Sequence, residues 1–110
     1  MSPLKITTDH TETGPVLHLA GELDYDHATA LRDQTANLSL APGQSLILDL
    51  SGVEFCDSSG IAALLGARQL AQSLGADIVL ASVPPNTLRL LTLVGLDRVF
   101  TIRPQQAPPA

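Results

Sequence analysis

The sequence has few of the residue types from which reactive sites are built. Its 110 residues include one cysteine, one lysine, three histidines and no tryptophan. The single cysteine, Cys56, excludes an intrachain disulfide and a zinc site built on cysteine pairs. The histidines do not stand at metal-ligand spacing, and the chain has neither a phosphate-binding glycine loop nor a complete nucleophile elbow. We therefore predict that the protein is not an enzyme and holds no cofactor or metal ion.

Positive charge and long apolar runs are also scarce. Six basic residues stand against eleven acidic ones, for a net charge of −5, whereas nucleic-acid-binding proteins normally show a basic surface. The longest apolar stretch, residues 61–67, is far shorter than the roughly 20 residues that cross a membrane. A lone thiol fits a reducing compartment. We expect a cytoplasmic protein that binds no nucleic acid and makes no direct contact with a membrane.

The acidic residues are concentrated in the first part of the chain. Residues 1–60 contain nine acidic and two basic side chains, whereas residues 61–110 contain two acidic and four basic ones. Such an imbalance is typical of an ordinary solvated surface, and it also fits an acidic face that binds a basic partner. Both interpretations stay open at this point.

Aliphatic side chains are abundant, and their spacing along the chain alternates between that of strands and that of helices. Hydrophobic residues make up 45% of the chain, and short apolar runs alternate with segments of helical spacing. Strands separated by helices predict parallel crossover connections, and an initial pair of strands within hairpin distance makes the sheet mixed. We therefore predict a single α/β domain with a mixed, mostly parallel β-sheet of four to five strands and three helices. The predicted strands cover residues 4–8, 16–20, 45–50, 78–81 and 99–102, and the predicted helices cover residues 26–38, 58–74 and 84–94.

The pattern also predicts which parts of these elements are buried. The near-continuous apolar run at 45–50 predicts a strand that is covered on both faces. Asp24 or Asp26 is placed to cap the helix at 26–38. In the helix at 58–74, the stripe that should face the core consists of Leu64, Ala67, Leu70, Ala71 and Leu74.

Four polar or small residues, Asp57-Ser58-Ser59-Gly60, stand at the start of the second predicted helix. Aspartate and serine are preferred at helix N-termini, where a capping side chain contributes about 1 kcal/mol. Two hydroxyl groups at an exposed helix start are also well placed to carry a phosphate, because free amides and the helix dipole accommodate an anion there. From the pattern alone, a structural cap is the simpler interpretation.

The remaining polar groups receive structural interpretations. His18 lies within a strand and is predicted to be a satisfied core or edge histidine. Residues 24–27, Asp-Tyr-Asp-His, are better explained by helix capping and solvated charge than by a bound cation. Cys56 is predicted to be a small buried hydrophobic residue.

Three blocks of the chain resemble a known family. Residues 49–65, with Asp-Ser-Ser-Gly at 57–60, resemble the signature of STAS domains, specifically the bacterial anti-sigma factor antagonists. Residues 21–24, Gly-Glu-Leu-Asp, are similar to the loop after the family's second strand, and residues 88–100 are similar to its last helix and strand. The resemblance covers about residues 4–103. We expect a STAS domain over residues 1–103, followed by a flexible Pro/Gln/Ala tail at 104–110.

The resemblance implies a partner-switching role. In that family, an unmodified antagonist binds an anti-sigma factor and thereby releases a sigma factor. The anti-sigma factor is commonly also the serine kinase that phosphorylates the antagonist, and a PP2C-type phosphatase removes the phosphate. The serine that follows the aspartate of the motif is Ser58, with Ser59 as the second choice. The implied partner-binding residues are Glu22, Leu23, Asp24, Asp57, Ser58, Ser59 and Gly60.

A second function would share the same fold. A STAS domain can also be a subunit or regulatory domain of a membrane transport system for lipids or anions, and it would then need no kinase. The Asp-Ser-Ser-Gly motif and the lack of a predicted membrane helix favour the antagonist.

Overall fold

Strands and helices alternate along residues 3–105, which are the residues that the computed structural model describes. The chain forms β1 (Lys5–Thr11), β2 (Gly14–Leu23), α1 (Ala28–Ala36), β3 (Ser45–Cys56), α2 (Ser58–Ser73), β4 (Asp77–Val83), α3 (Pro85–Leu93), a short 3₁₀ helix (Leu96–Arg98) and β5 (Thr101–Pro104). The predicted α/β fold is confirmed. β5 includes Pro104, the first residue of the predicted tail, and residues 106–110 lie outside the described part of the chain.

The five strands form one mixed sheet in the order β1-β2-β3-β4-β5. β1 and β2 are an antiparallel hairpin, and each of the other neighbouring pairs is parallel. Parallel neighbours need a crossover connection, which the intervening helices provide. None of the helices among the described residues is long and apolar enough to cross a membrane.

The three helices cover one face of this sheet. Leu17, Leu48 and Leu80 are in register on β2, β3 and β4, and they belong to one core with buried residues of all three helices. Side chains alternate across a strand, so the residues one position further along β2, β3 and β4 form a row that points to the opposite face. That row contains His18, Asp49 and Ala81, each of which is partly exposed.

The apolar run in β3 is fully buried on one side only. Leu46, Leu48 and Leu50 have no exposed surface, whereas Ile47 and Asp49 between them are half-buried. The prediction of a strand covered on both faces is therefore wrong. The error arises because Ile47 makes an alternating strand look like a continuous apolar run.

Small side chains form the contact surface of α2. The predicted stripe is right for Leu64, Ala67 and Ala71 and wrong for Leu70, which is half-buried, and Leu74, which is 37% exposed. The core-facing side is rotated towards the smaller residues because they let the helix approach the sheet closely. The buried residues of α2 are Gly60, Ala63, Leu64, Ala67 and Ala71.

The start of α1 lies two residues after the predicted position. Its N-cap is His27, whose side chain makes no capping hydrogen bond, and Asp26 is exposed. The carboxylate of Asp24 accepts a hydrogen bond from the N–H of His27 at 3.2 Å, and its backbone oxygen accepts from Ala28 at 2.8 Å. Asp24 therefore stabilises the turn that leads into the helix.

Candidate functional site

β2 and β3 end side by side at one edge of the sheet. Glu22 pairs with Phe55, and Leu23 pairs with Cys56. β3 reaches this edge because it continues to Cys56, beyond the predicted end at residue 50. Loops that follow parallel strands lie at the same edge. The β2–α1 loop and the start of α2 are therefore neighbours, which brings together the blocks at 21–24 and 57–60.

Asp57 connects these two segments through its carboxylate. Oδ1 accepts hydrogen bonds from the N–H groups of Ser59 at 2.9 Å and Gly60 at 3.1 Å, and this caps α2. Oδ2 accepts from the N–H of Tyr25, in the β2–α1 loop, at 3.3 Å. The predicted helix cap is confirmed, and the same side chain also fixes the position of the neighbouring loop.

Leu23 and Gly60 support the site from the interior. Leu23 is fully buried, and its backbone oxygen accepts from the N–H of Asp57 at 3.3 Å. A Cβ at position 60 would lie 2.2 Å from that oxygen, so glycine is needed for α2 to begin this close to β2. These two of the predicted partner-binding residues are buried, so they shape the surface around Ser58 from inside.

The two serines of the motif differ in exposure. Ser58, the first residue of α2, is exposed. Ser59 is half-buried and lines a cavity of about 460 Å³ together with Tyr25 and Arg32. A kinase must bring the hydroxyl oxygen next to a nucleotide phosphate. Accessibility therefore favours Ser58, and the positive end of the helix dipole favours negative charge at this position.

Glu22, Asp24 and His27 form a polar cluster beside this turn. His27 Nδ1 lies 2.6 Å from Asp24 Oδ1. Burial acts to raise the pKa of Asp24, but hydrogen bonds and charge from His27, with a smaller contribution from Glu22, hold it below its ordinary value. Potential ligand atoms of the three side chains lie within 4.8 Å of one another, close enough for a cation. The hydrogen bond between Asp24 and His27 accounts for this arrangement without one.

Two of the three aromatic side chains are exposed at this edge of the sheet. Tyr25 is 79% exposed in the β2–α1 loop, and Phe55 is 51% exposed near the end of β3. Aromatic residues are enriched among the side chains that dominate binding energy in protein interfaces. Neither residue is among the predicted site residues, although the low aromatic content of 3% is a signal that could have identified them.

Cys56 lies next to the site and carries an unreactive thiol. Burial, and secondly the negative charge of Asp57, raise the pKa of this thiol to about 12. Its Sγ is 3.6 Å from the backbone oxygen of Asp57, to which it donates. The thiol is therefore protonated near neutral pH, as suits a structural role, but Cys56 is partly exposed and not buried as predicted.

His18 lies in the middle of β2 on the face of the sheet that carries no helix. Its Nδ1 is 2.7 Å from Asp49 Oδ2, and its Nε2 is 2.8 Å from Asp9 Oδ2. Hydrogen bonds to Asp49 and then to Asp9 raise the pKa of His18, because both ring nitrogens donate only when the ring is protonated. Both ring nitrogens of His18 have hydrogen-bond partners, as predicted. The residue lies on an inner strand and is partly exposed, so it is neither a core nor an edge histidine.

Known proteins with similar sequences identify the family of this domain. A family model described as "Mlab, STAS domain" matches residues 6–104. The chain is 29% identical over 100 residues to an anti-sigma F factor antagonist of Paenibacillus polymyxa, and the match covers 90% of this chain and 86% of that protein. It is 32% identical over 88 residues to the anti-sigma-F factor antagonist RsfB of Mycobacterium tuberculosis, with 79% of this chain and 70% of that protein covered.

The same relationship is found in three dimensions. The crystal structure of an anti-sigma factor antagonist from Mycobacterium paratuberculosis superposes with a TM-score of 0.69 at 26% identity, covering 92% of this chain and 86% of that chain. The family match includes both loops of the candidate site and all five strands from the second residue of β1 onwards. The chain therefore belongs to the STAS domain family.

Proposed function

We propose that this protein is an anti-sigma factor antagonist that works by partner switching. The unphosphorylated form binds an anti-sigma factor and so releases a sigma factor. The anti-sigma factor acts as a serine kinase on Ser58, which ends binding, and a PP2C-type phosphatase restores it. The observation that carries the proposal is the exposed Ser58 at the N-terminus of α2, at the edge that also exposes Tyr25 and Phe55.

The names of the curated relatives support this function. The relatives from Paenibacillus polymyxa and Mycobacterium tuberculosis are both anti-sigma factor antagonists, so a role in a membrane transport system is not favoured. In this proposal the acting unit is the domain at residues 1–103, and it acts in the cytoplasm.

Phosphorylation of Ser58 changes the interface and leaves the fold intact. A phosphoserine adds about −1.5 to −2 charges, and the first turn of a helix favours negative charge. The phosphate stands beside the carboxylate of Asp57 and close in the fold to the loop that carries Asp24. Removing such an anion from water is costly unless the partner supplies cations to pair with it. The phosphorylated surface therefore binds the anti-sigma factor poorly.

Purified anti-sigma factor kinases of the source organism provide the test. Ser58→Ala is expected to abolish phosphorylation and to retain binding, whereas Ser58→Glu is expected to weaken binding. Ser59→Ala is the matched control for the choice of serine and should still be phosphorylated. Phosphorylation of Ser58→Ala to the wild-type extent would contradict the assignment of the serine. A wild-type chain that binds none of these kinases would contradict the function itself.

A further inference from the structure

A groove of about 650 Å³ lies between α1 and α2, beyond the turn that carries Ser58. Arg32 on α1 and Arg68 on α2 line this groove. Ala62, Leu65 and Gly66 contribute an apolar surface. The described residues that line the groove include no carboxylate. The groove is thus apolar and positively charged.

Its charge is opposite to that of the protein as a whole. The chain has a net charge of −5, and nine of its eleven acidic residues lie in residues 1–60. Throughout residues 3–105, the ion pairs join a histidine to an aspartate, so neither Arg32 nor Arg68 is neutralised by a carboxylate. A guanidinium group presents five N–H donors in a geometry that fits carboxylates. The groove therefore suits a ligand that carries negative charge.

Gly66 keeps the groove open. It lies in the interior of α2, where glycine weakens a helix relative to alanine. A Cβ at position 66 would meet no atom within 4 Å, so the packing of the domain does not require glycine there. Gly60 is the contrast in the same helix, because a Cβ at that position would meet backbone at 2.2 Å. The missing side chain at position 66 leaves space that a bound segment can fill.

The groove also continues to the start of α2. A second cavity of about 460 Å³ is lined by Arg32 and Ala62, which line the groove as well, and by Tyr25 and Ser59 of the candidate site. Asp26 is the one carboxylate among the described residues that line this second cavity. A segment bound between α1 and α2 would therefore extend to the phosphorylatable turn.

We infer that the groove binds an acidic, amphipathic segment of the anti-sigma factor, an interaction that rests on the proposed function. Carboxylates of this segment pair with Arg32 and Arg68, and its apolar side chains pack on Leu65 and Gly66. The two parts of the surface have different tasks. The turn at Ser58 switches the complex on and off, and the groove discriminates between anti-sigma factors by their charge and shape.

Isothermal titration calorimetry with the purified anti-sigma factor that binds the wild-type chain tests this docking site. Gly66→Trp places a large side chain in the groove from a position where a Cβ meets no atom within 4 Å, and Gln72→Trp, at an exposed position on α2 outside the groove, is its matched control. Arg68→Glu reverses one charge of the groove, and Arg89→Glu, at an exposed position on α3 outside the groove, is its matched control. We expect at least about tenfold weaker binding for Gly66→Trp and Arg68→Glu, and wild-type affinity for both controls.

The outcomes separate the groove from the proposed function. Unchanged affinity of Gly66→Trp and Arg68→Glu, while Ser58→Glu binds weakly, would show that the groove is not a docking site and would leave the proposed function standing. If Arg89→Glu weakens binding as much as Arg68→Glu, the cause is a general charge effect, and the groove is then not a docking site. A wild-type chain that binds no anti-sigma factor would overturn both. Thermal unfolding shows whether each variant is folded, and Arg68→Glu decides the matter if Gly66→Trp does not fold.

Discussion

Replacing Asp57 by alanine should destabilise the domain and loosen the two loops of the site. The carboxylate accepts from the N–H groups of Ser59 at 2.9 Å, Gly60 at 3.1 Å and Tyr25 at 3.3 Å. Loss of a helix N-cap costs about 0.5–2 kcal/mol, and loss of the longer bond to the loop adds about 0.5 kcal/mol. We expect a total of about 1–2.5 kcal/mol, which lowers Tm by roughly 4–15 °C in a domain of this size.

Urea unfolding followed by circular dichroism measures this change, because the shift in midpoint at constant slope gives the loss of stability. Asp57→Asn is the matched control. Asparagine is as good an N-cap as aspartate, so this variant should keep wild-type stability while it removes the negative charge. The reasoning is refuted if Asp57→Ala is as stable as the wild type. It also fails if Asp57→Asn is destabilised as strongly as Asp57→Ala, because charge and not capping would then hold the loops.

The histidine network, the partly buried thiol and the exposed aromatic side chains each give a measurable expectation. The pKa of His18 is raised above 6.5, so its contribution to stability is complete below that pH and is lost as the pH rises through the folded-state value. His18→Gln should remove this decline from the pH profile of urea midpoints, and an unchanged profile would contradict the role of the network. Because burial, with Asp57, raises the pKa of Cys56 to about 12, iodoacetamide should alkylate the native thiol far more slowly at about pH 8 than the urea-unfolded one. Equal rates in the two states would show that the thiol is not protected. Phe55→Ala should weaken anti-sigma factor binding by roughly tenfold with little change in Tm, whereas Leu93→Ala, at an exposed position on α3, should change neither. Equal affinities of these two variants would exclude Phe55 as an anchor.

The ends of α2 could be predicted from the sequence to within one residue because both have local signals. Asp57 accepts the first amides of the helix, and Gly75, with a left-handed φ of 73°, follows its last turn. The end of β3 has no such signal. Residues 51–56 continue the strand because they pair with the end of β2, and Ser51-Gly52 alone resembles a turn. Pairing with β2, which is distant in the sequence, sets the end of β3, and the local spacing of apolar residues carries no information about that pairing.

The same distinction applies to the candidate site. The motif at 57–60 is local, so its capping role could be predicted from residue types alone. Tyr25 and Phe55 become neighbours of the site only because β2 and β3 end together, and the pairing of Arg32 with Arg68 in one groove depends on how α1 packs against α2. These features follow from tertiary contacts that no pattern within one element reveals.

The hydrogen bond between Asp57 and Tyr25 joins positions that are 32 residues apart. The surroundings of Ser58 therefore exist only after the chain has folded, and an unfolded or truncated chain carries the serine without them. A kinase that recognises both loops acts on native molecules alone. In the proposed switch, phosphate would then be added to folded chains only, and newly made or damaged polypeptide would not occupy the kinase.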